Sequence, residues 1–316
     1  MITHWDEVEP RRNERGHLRG LWQDLGRACG TQAVGLKRIR IDPGFWSTPA
    51  HIHGREEELF YVLAGSGLSW QGGKAYEIGP GDCLVHLTHG DPHTLRAGEE
   101  GLEVLAFGMR AADEASYLPR AGVMWLASHW VDAGDPDKPP WDREIAAGPP
   151  QLPPAPSERP RTIVNVSDVE TFREDAPAGF AGAWRNLGAA VGSEDTGLKH
   201  QRIEPGNLNC PHHVHSAEEE VFVVLEGDGV LELIPAPQSH AGAQEIPVRA
   251  GHVVSRPPGS RLAHAFRAGD DALTLLAYGT RDPSDVAFYP RSNKVFFRGA
   301  GVIVRAEPLD YWEGET

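Results

Sequence analysis

The chain has 316 residues, 40% of them hydrophobic and 24% charged, which is enough for about two ordinary globular domains and too apolar for a disordered one. Lys and Arg number 30 against 45 Asp and Glu, a formal net charge of -15; such a surface repels phosphate backbones and lipid headgroups, so nucleic-acid and membrane partners are not expected. No apolar run is long enough to span a bilayer, the stretch from Met1 to Arg12 is polar, and Cys29, Cys83 and Cys210 stand in no zinc-ligand spacing, so a cytoplasmic chain is expected.

In chain order, the first half shows short runs rich in β-forming residues. They are Leu36 to Ile41, Glu58 to Leu63, Leu68 to Trp70, Cys83 to Leu87 and Leu102 to Phe107, parted by Gly, Pro and Asp turns. Arg96-Ala97-Gly98 reads as one such turn. The Pro-rich stretch over 148–160 follows, where proline blocks both helix and central strand. The second half repeats the series as Leu198 to Ile203, Glu220 to Leu225, Val230 to Ile234, Val253 to Ser255 and Leu273 to Tyr278. No stretch carries a long helical apolar stripe.

The two halves share one register. Trp22, Gly35, Lys37 and Ile41 reappear as Trp184, Gly197, Lys199 and Ile203, an offset of 184 − 22 = 162. The offset grows to 251 − 81 = 170 at Gly81 and Gly251, because the second copy has a longer hairpin around Pro235 to Pro247, and reaches 264 − 93 = 171 at His93 and His264. This is a duplicated domain. The expected organisation is an N-terminal domain over 1–147, a linker over 148–160 and a C-terminal domain over 161–316. Both domains should be all-β, closed from short antiparallel strands.

His51 and His53 stand two apart, so on a strand they share a face. Glu58 can return beside them on the neighbouring strand, and His93 arrives later in Gly90-Asp91-Pro92-His93. Three imidazoles and a carboxylate form a divalent-metal site with positions left for water or substrate. The second copy offers His213, His215, Glu220 and His264. A single surface His-x-His would mean little; here the pattern occurs twice with matching glycines.

The series Gly44, His51, His53, Glu58, Gly65, repeated as Gly206, His213, His215, Glu220, Gly227, resembles the first motif of the cupin superfamily. The second motif departs from the family pattern in both copies: its trailing Asn is absent, and His86 and His89 are further candidate ligands beside His93. The resemblance covers nearly the whole chain and implies two tandem cupin jelly-roll barrels. It also implies a metal ligand role for the two histidines, the glutamate and the later histidine of each copy. The ion would be a divalent transition metal, Fe(II), Mn(II), Ni(II), Zn(II) or Cu(II), one per domain. Glu58 and Glu220 would be ligands and, off the metal, catalytic bases.

Around these residues, Glu56 and Glu57, with Glu218 and Glu219, are expected to face solvent. Phe60 and Val62 are expected to line the core, and Arg38, Arg40, His200 and Arg202 to lie at the surface. Trp46, Trp70 and Trp125 are candidates for a pocket wall or for packing at a domain interface. The activity expected is that of a dioxygenase-type oxidoreductase on a small oxygenated aromatic or organic acid. The alternatives are a non-redox metal-dependent lyase, isomerase or hydrolase on a small carboxylate or sugar, and a metal-containing binding protein without catalysis. The sequence leaves a homo-oligomer open. Because Phe45-Trp46-Ser47-Thr48 precedes one site and Asn207-Leu208-Asn209-Cys210 the other, the two pockets are expected to differ, one catalytic and the other structural.

Overall fold

A computed structural model describes residues 1–126, 128–132, 140–172, 176–237, 239–307, 309 and 311–315. The described residues are mostly β-strand with little helix. It forms two compact units: one of Thr3–Glu170 with Asn186–Leu198, the other of Met1–Ile2, Thr171–Arg185 and Lys199–Thr316. Both are jelly-roll arrangements of antiparallel strands.

In the first unit the main sheet runs, in spatial order, Ile163–Asn165, Asp82–His86, Glu58–Gln71, His93–Met109, Val34–Ile41, Leu18–Asp24 and Arg11–Arg15. All the runs read from the sequence are strands, but two merge. Glu58–Gln71 continues through Gly65, and His93–Met109 continues through Arg96-Ala97-Gly98, so the expected turn there is instead paired strand. The reason lies in the partner: both long strands are irregular at the same place, with register shifts at Val62/Ala64 and Gly65/Gly67, and they bend together rather than end. Gly65 makes that bend possible. Its φ is +74°, and a Cβ there would lie 2.2 Å from the carbonyl oxygen of Gly101.

Alternate residues of these strands bury one face. Ile39, Ile41, Phe60, Val62, Tyr76, Ile78, Leu84 and Val104 form the core of the first unit, so Phe60 and Val62 line the interior as expected. The Pro-rich stretch runs along this unit. Trp70 Nε1 donates to the carbonyl of Gln151, and Arg159 pairs with buried Asp82.

The second unit repeats the plan. One sheet orders His252–Arg256, Glu220–Glu226, Leu273–Thr280, Thr196–Ile203, Gly182–Asn186 and Thr171–Phe172, the strand Thr196–Ile203 entering this unit at Lys199. A second sheet orders Gln244–Arg249, Asp228–Pro235 and Leu262–Ala268. Here Phe222, Val224, Leu231, Leu233, Phe266 and Leu275 make the core. Each unit also carries a small sheet absent from the sequence reading. In the first it is Ile52–His53, Ala115–Leu118, Val123–Leu126 and His129–Asp132; in the second, Val214–His215, Val286–Tyr289, Lys294–Phe297 and Val302–Arg305. Each small sheet holds the third residue of the His-x-His triplet on its first strand.

Candidate metal centres

The first centre is assembled from four pieces of chain. His53 sits on the short strand Ile52–His53, paired with Ser116. His51 lies just before it and forms an isolated antiparallel bridge with His93, the first residue of its strand. Glu58 begins the central strand, directly opposite Gly108 on one side and His86 on the other. The ligating atoms of His51, His53, Glu58 and His93 all lie within 4.8 Å of one another. Glu58 Oε2 is 3.9, 3.7 and 3.4 Å from the Nε2 atoms of His51, His53 and His93.

The other ring nitrogen of each histidine is held from outside. His51 Nδ1 donates to the carbonyl of Pro49 at 2.8 Å, and His53 Nδ1 lies 3.0 Å from Glu114 Oε1. A carbonyl only accepts, so the His51 proton is on Nδ1 and the Nε2 lone pair faces the centre. Glu114 is itself fixed by the backbone N–H groups of Arg55 and Glu56 and by the Ser116 hydroxyl. A carboxylate behind a histidine in this way sets the ring orientation and raises its basicity toward a metal.

Electrostatics follow from burial and proximity. Burial, with the nearby imidazoles of His93 and His53, pushes His51 down to about 3, so it is neutral. For His53 burial acts in the same direction, but Glu114 and Glu58 outweigh it and lift the ring to about 10. Glu58 is desolvated, yet its histidine partners hold it well below the usual carboxylate range. Glu114 is held down to about 2, its desolvation overcome by His53, Ser116 and Arg55.

The second centre is built from the equivalent residues but is looser: only His213, Glu220 and His264 have ligand atoms all within 4.8 Å of one another, and His215 falls outside that set. Glu220 Oε2 is 3.8, 3.4 and 3.1 Å from the Nε2 atoms of His213, His215 and His264. His213 Nδ1 donates to the carbonyl of Pro211, and His215 Nδ1 lies 2.7 Å from Asp285 Oδ2. Asp285 Oδ1 accepts from the backbone N–H groups of Ser216, Ala217 and Glu218. His264 is driven down to about 3 by burial, and His215 up to about 10, burial being outweighed by Glu220 and Asp285.

The donor sets fit a first-row divalent ion. His53 Nε2, His215 Nε2, His264 Nε2 and Glu220 Oε2 are buried with no hydrogen-bond partner among the described residues, although each points at its centre. Buried polar atoms are rarely left so. Imidazole nitrogens with one carboxylate oxygen, and no thiolate among them, suit Fe, Mn, Ni, Zn or Cu. Cys83 is not a donor, being fully buried with its thiol pushed up by desolvation, and Cys210 Sγ lies 3.7 Å from His213 Nδ1, outside the ring of Nε2 atoms.

The two centres differ in their surroundings. His86 stacks flat on His93, ring centroids 3.8 Å apart and planes 4° apart; its Nε2 is buried with no hydrogen-bond partner among the described residues. The equivalent residue opposite Glu220 is Arg256, buried, donating to the carbonyl of Leu262. His89 belongs to the turn before His93, with φ +55°, and is not in the cluster. Tyr289 stacks over His213, whereas the residue at the same register in the first copy is Leu118 (289 − 118 = 171). A cavity of about 580 Å³ opens onto the first centre, reaching His53, Glu58 and Glu114, with Trp125 in its wall and Lys37 and Arg110 among its lining residues. A cavity of about 410 Å³ touches His215, lined by Val214, Pro237, Val286, Phe288 and Val295.

Several side chains depart from the sequence reading. Glu57, Glu218 and Glu219 are not solvent-facing but buried. Glu57 accepts from the Ser193 hydroxyl, from the backbone N–H groups of Glu194 and Thr196 and from the Thr196 hydroxyl, all within the first unit. Glu218 is paired with Arg298. Arg38 is not at the surface as expected: its side chain is only 14% exposed, bonded to Glu103 and lying over the Trp5 ring, and His200 is half-buried too. Trp46 and Trp70 pack with Leu18 and Ala50 in a small core cluster, and Trp125 lines the cavity. Glu114 and Asp285 were missed, although a signal existed: both are acidic and stand at the duplication offset, 285 − 114 = 171.

Residues 37–108 and 199–278 match the cupin domain family. No curated protein matches the sequence. Among solved structures, a deletion mutant of Bacillus subtilis oxalate decarboxylase is similar at 18% identity and TM-score 0.59, with 89% of this chain and 77% of that one covered. The Lactobacillus farciminis oxalate decarboxylase formate complex is similar at 16% identity and TM-score 0.58, covering 89% of this chain and 86% of that one. At such identities the likeness speaks for the fold.

Proposed function

Starting from a chain that is a two-domain cupin protein, we propose that each domain holds one divalent transition metal and that the first centre is catalytic. His51, His53, Glu58 and His93 would hold one ion; His213, His215, Glu220 and His264 the other. The substrate we infer is a small oxygenated aromatic or organic acid, and the reaction a dioxygenase-type oxidation. The observation that carries this reading is the cavity of about 580 Å³ that ends on His53 and Glu58. Its size falls in the usual range of small-molecule sites and exceeds what a two-carbon acid fills.

A bound divalent ion would supply Lewis acidity toward substrate oxygens and, if redox-active, electrons for reaction with O₂. The protein does the rest. Pro49 and Glu114 orient the imidazoles so that the Nε2 atoms converge. Phe60, in the core, packs against His86 behind the centre, and Trp125 offers the cavity a flat wall for an aromatic ring. Glu58 can take a proton from the substrate at its free carboxylate oxygen. The second centre, with Tyr289 over His213, would be structural.

A second reading is a non-redox lyase, favoured by the activity named for the similar oxalate decarboxylases. Oxygen uptake separates the two. The chain, with its metal content measured, is screened with hydroxy acids, keto acids and catechols for O₂ consumption and CO₂ release. Stoichiometric O₂ uptake supports oxidation. CO₂ release without uptake supports the lyase, and neither, with full metal content, refutes catalysis on this class.

A further inference from the structure

We propose that Lys37 is the substrate-binding residue of the first centre, anchoring the carboxylate of a small organic acid while the acid's other oxygens face Glu58 and the three histidines. This rests on the reading of that centre as a metal-dependent active site. Lys37 lies on the strand Val34–Ile41, where Ile39 and Ile41 of the same parity point into the core. Lys37 therefore belongs to the interior face, but at its open end: the two isoleucines are buried and Lys37 is exposed to the cavity it lines.

Sheet register locates it relative to the centre. Ala106 pairs with Lys37 on one side and Phe60 on the other; one step up, Gly108 pairs with Gly35 and Glu58. Lys37 and the strand of Glu58 are thus two strands apart, roughly 10 Å. An extended lysine side chain and a small acid together span that gap. The residues between them are the small ones, Gly35, Ala106 and Gly108.

Those two glycines are not demanded by the fold. Neither has a left-handed backbone, and a Cβ on Gly35 or Gly108 would come no closer than 3.5 and 3.7 Å to its neighbours, which is ordinary contact. Glycine weakens a strand, so its presence here serves the empty space beside Glu58. The charges around Lys37 are otherwise spoken for. Asp24, its cross-strand neighbour, caps the following helix through the Arg27 N–H and pairs with Arg27 and Arg110. Glu114 serves His53, and Glu57 serves Ser193 and Thr196. Among the described residues Lys37 has no ion-pair partner, which leaves its ammonium for a ligand.

The test uses mandelate, a hydroxy acid, and mandelamide, its uncharged twin, titrated calorimetrically into the full metal-loaded chain. A second series uses the chain carrying His213→Ala with His215→Ala, which isolates the first centre. Lys37→Met should weaken mandelate about 10- to 100-fold, Lys37→Arg should recover most of the loss, and mandelamide should bind both alike. Metal content should not change. Mandelate binding within about twofold of the unaltered chain, an equal loss for mandelamide, or no mandelate binding by the unaltered chain would each overturn the assignment. If chelator-treated protein binds mandelate as tightly and with the same dependence on Lys37, the anchor stands and the metal-site reading falls.

Discussion

Asp285→Asn tests how the second centre is preorganised. The carboxylate has two duties: Oδ2 meets His215 Nδ1 at 2.7 Å, and Oδ1 accepts from three consecutive backbone N–H groups. Asparagine keeps the shape but has only one accepting oxygen. If that oxygen stays with the backbone, the amide N–H₂ faces the ring N–H of His215, and the ring must move its proton to Nε2, where a metal should bind. If the amide turns round, the three backbone donors lose their acceptor. Either way a charge-assisted hydrogen bond worth about 1.5–3 kcal/mol is lost, which converts to about 10- to 100-fold in metal affinity. Competition against a chromophoric chelator would read this separately for the two centres, with stoichiometry at saturating metal as the check on folding. The second centre should weaken and the first stay as it was. Affinity within about threefold at the second centre would refute the argument that Asp285 positions His215.

Metal uptake should be pH-dependent and release protons. His53 and His215 are lifted to about 10 without metal, so each must lose a proton to bind one; affinity should rise by up to about tenfold per pH unit between about pH 6 and 9, with about one proton released per centre. Calorimetry in buffers of different ionisation enthalpy measures this, and a flat profile would contradict it. Glu57→Gln should cost about 3 kcal/mol, since one of its oxygens must give up charge-assisted bonds to Ser193, Glu194 or Thr196, lowering Tm by about 6–12 °C; a shift below about 2 °C would show those bonds to be worth little. Gly227→Ala should destabilise by about 2 kcal/mol or more in thermal unfolding, because φ is +78° and the new Cβ would lie 2.1 Å from the Ala272 carbonyl; an unchanged Tm would mean that the chain can shift there.

The centres were legible because their spacing is written in the local chain. His51 and His53 are two apart, Glu58 heads a strand, and every one of these recurs in the second copy. Duplication made strand parity readable too, which is why Phe60 and Val62 fell on the right side. What escaped depends on contacts across the sheet. Nothing near Glu57 announces that Ser193 and Thr196, more than a hundred residues on, would satisfy its carboxylate, so a run of three glutamates looks like a solvated turn. Arg96-Ala97-Gly98 has turn composition, yet the partner strand bends with it and keeps it paired. Lys37 was seen only as part of the repeat; its place beside the cavity follows from pairing with Ala106, which pairs on its other side with Phe60 on the strand of Glu58.

The most direct measurement is metal content per chain after purification without added metal, followed by the same measurement on His51→Ala with His53→Ala and on His213→Ala with His215→Ala. Two equivalents of a first-row divalent metal in the unaltered chain, and one in each double variant, is the predicted result. No bound metal in the unaltered chain, or two equivalents retained by either variant, would contradict the convergence of these side chains on two metal centres.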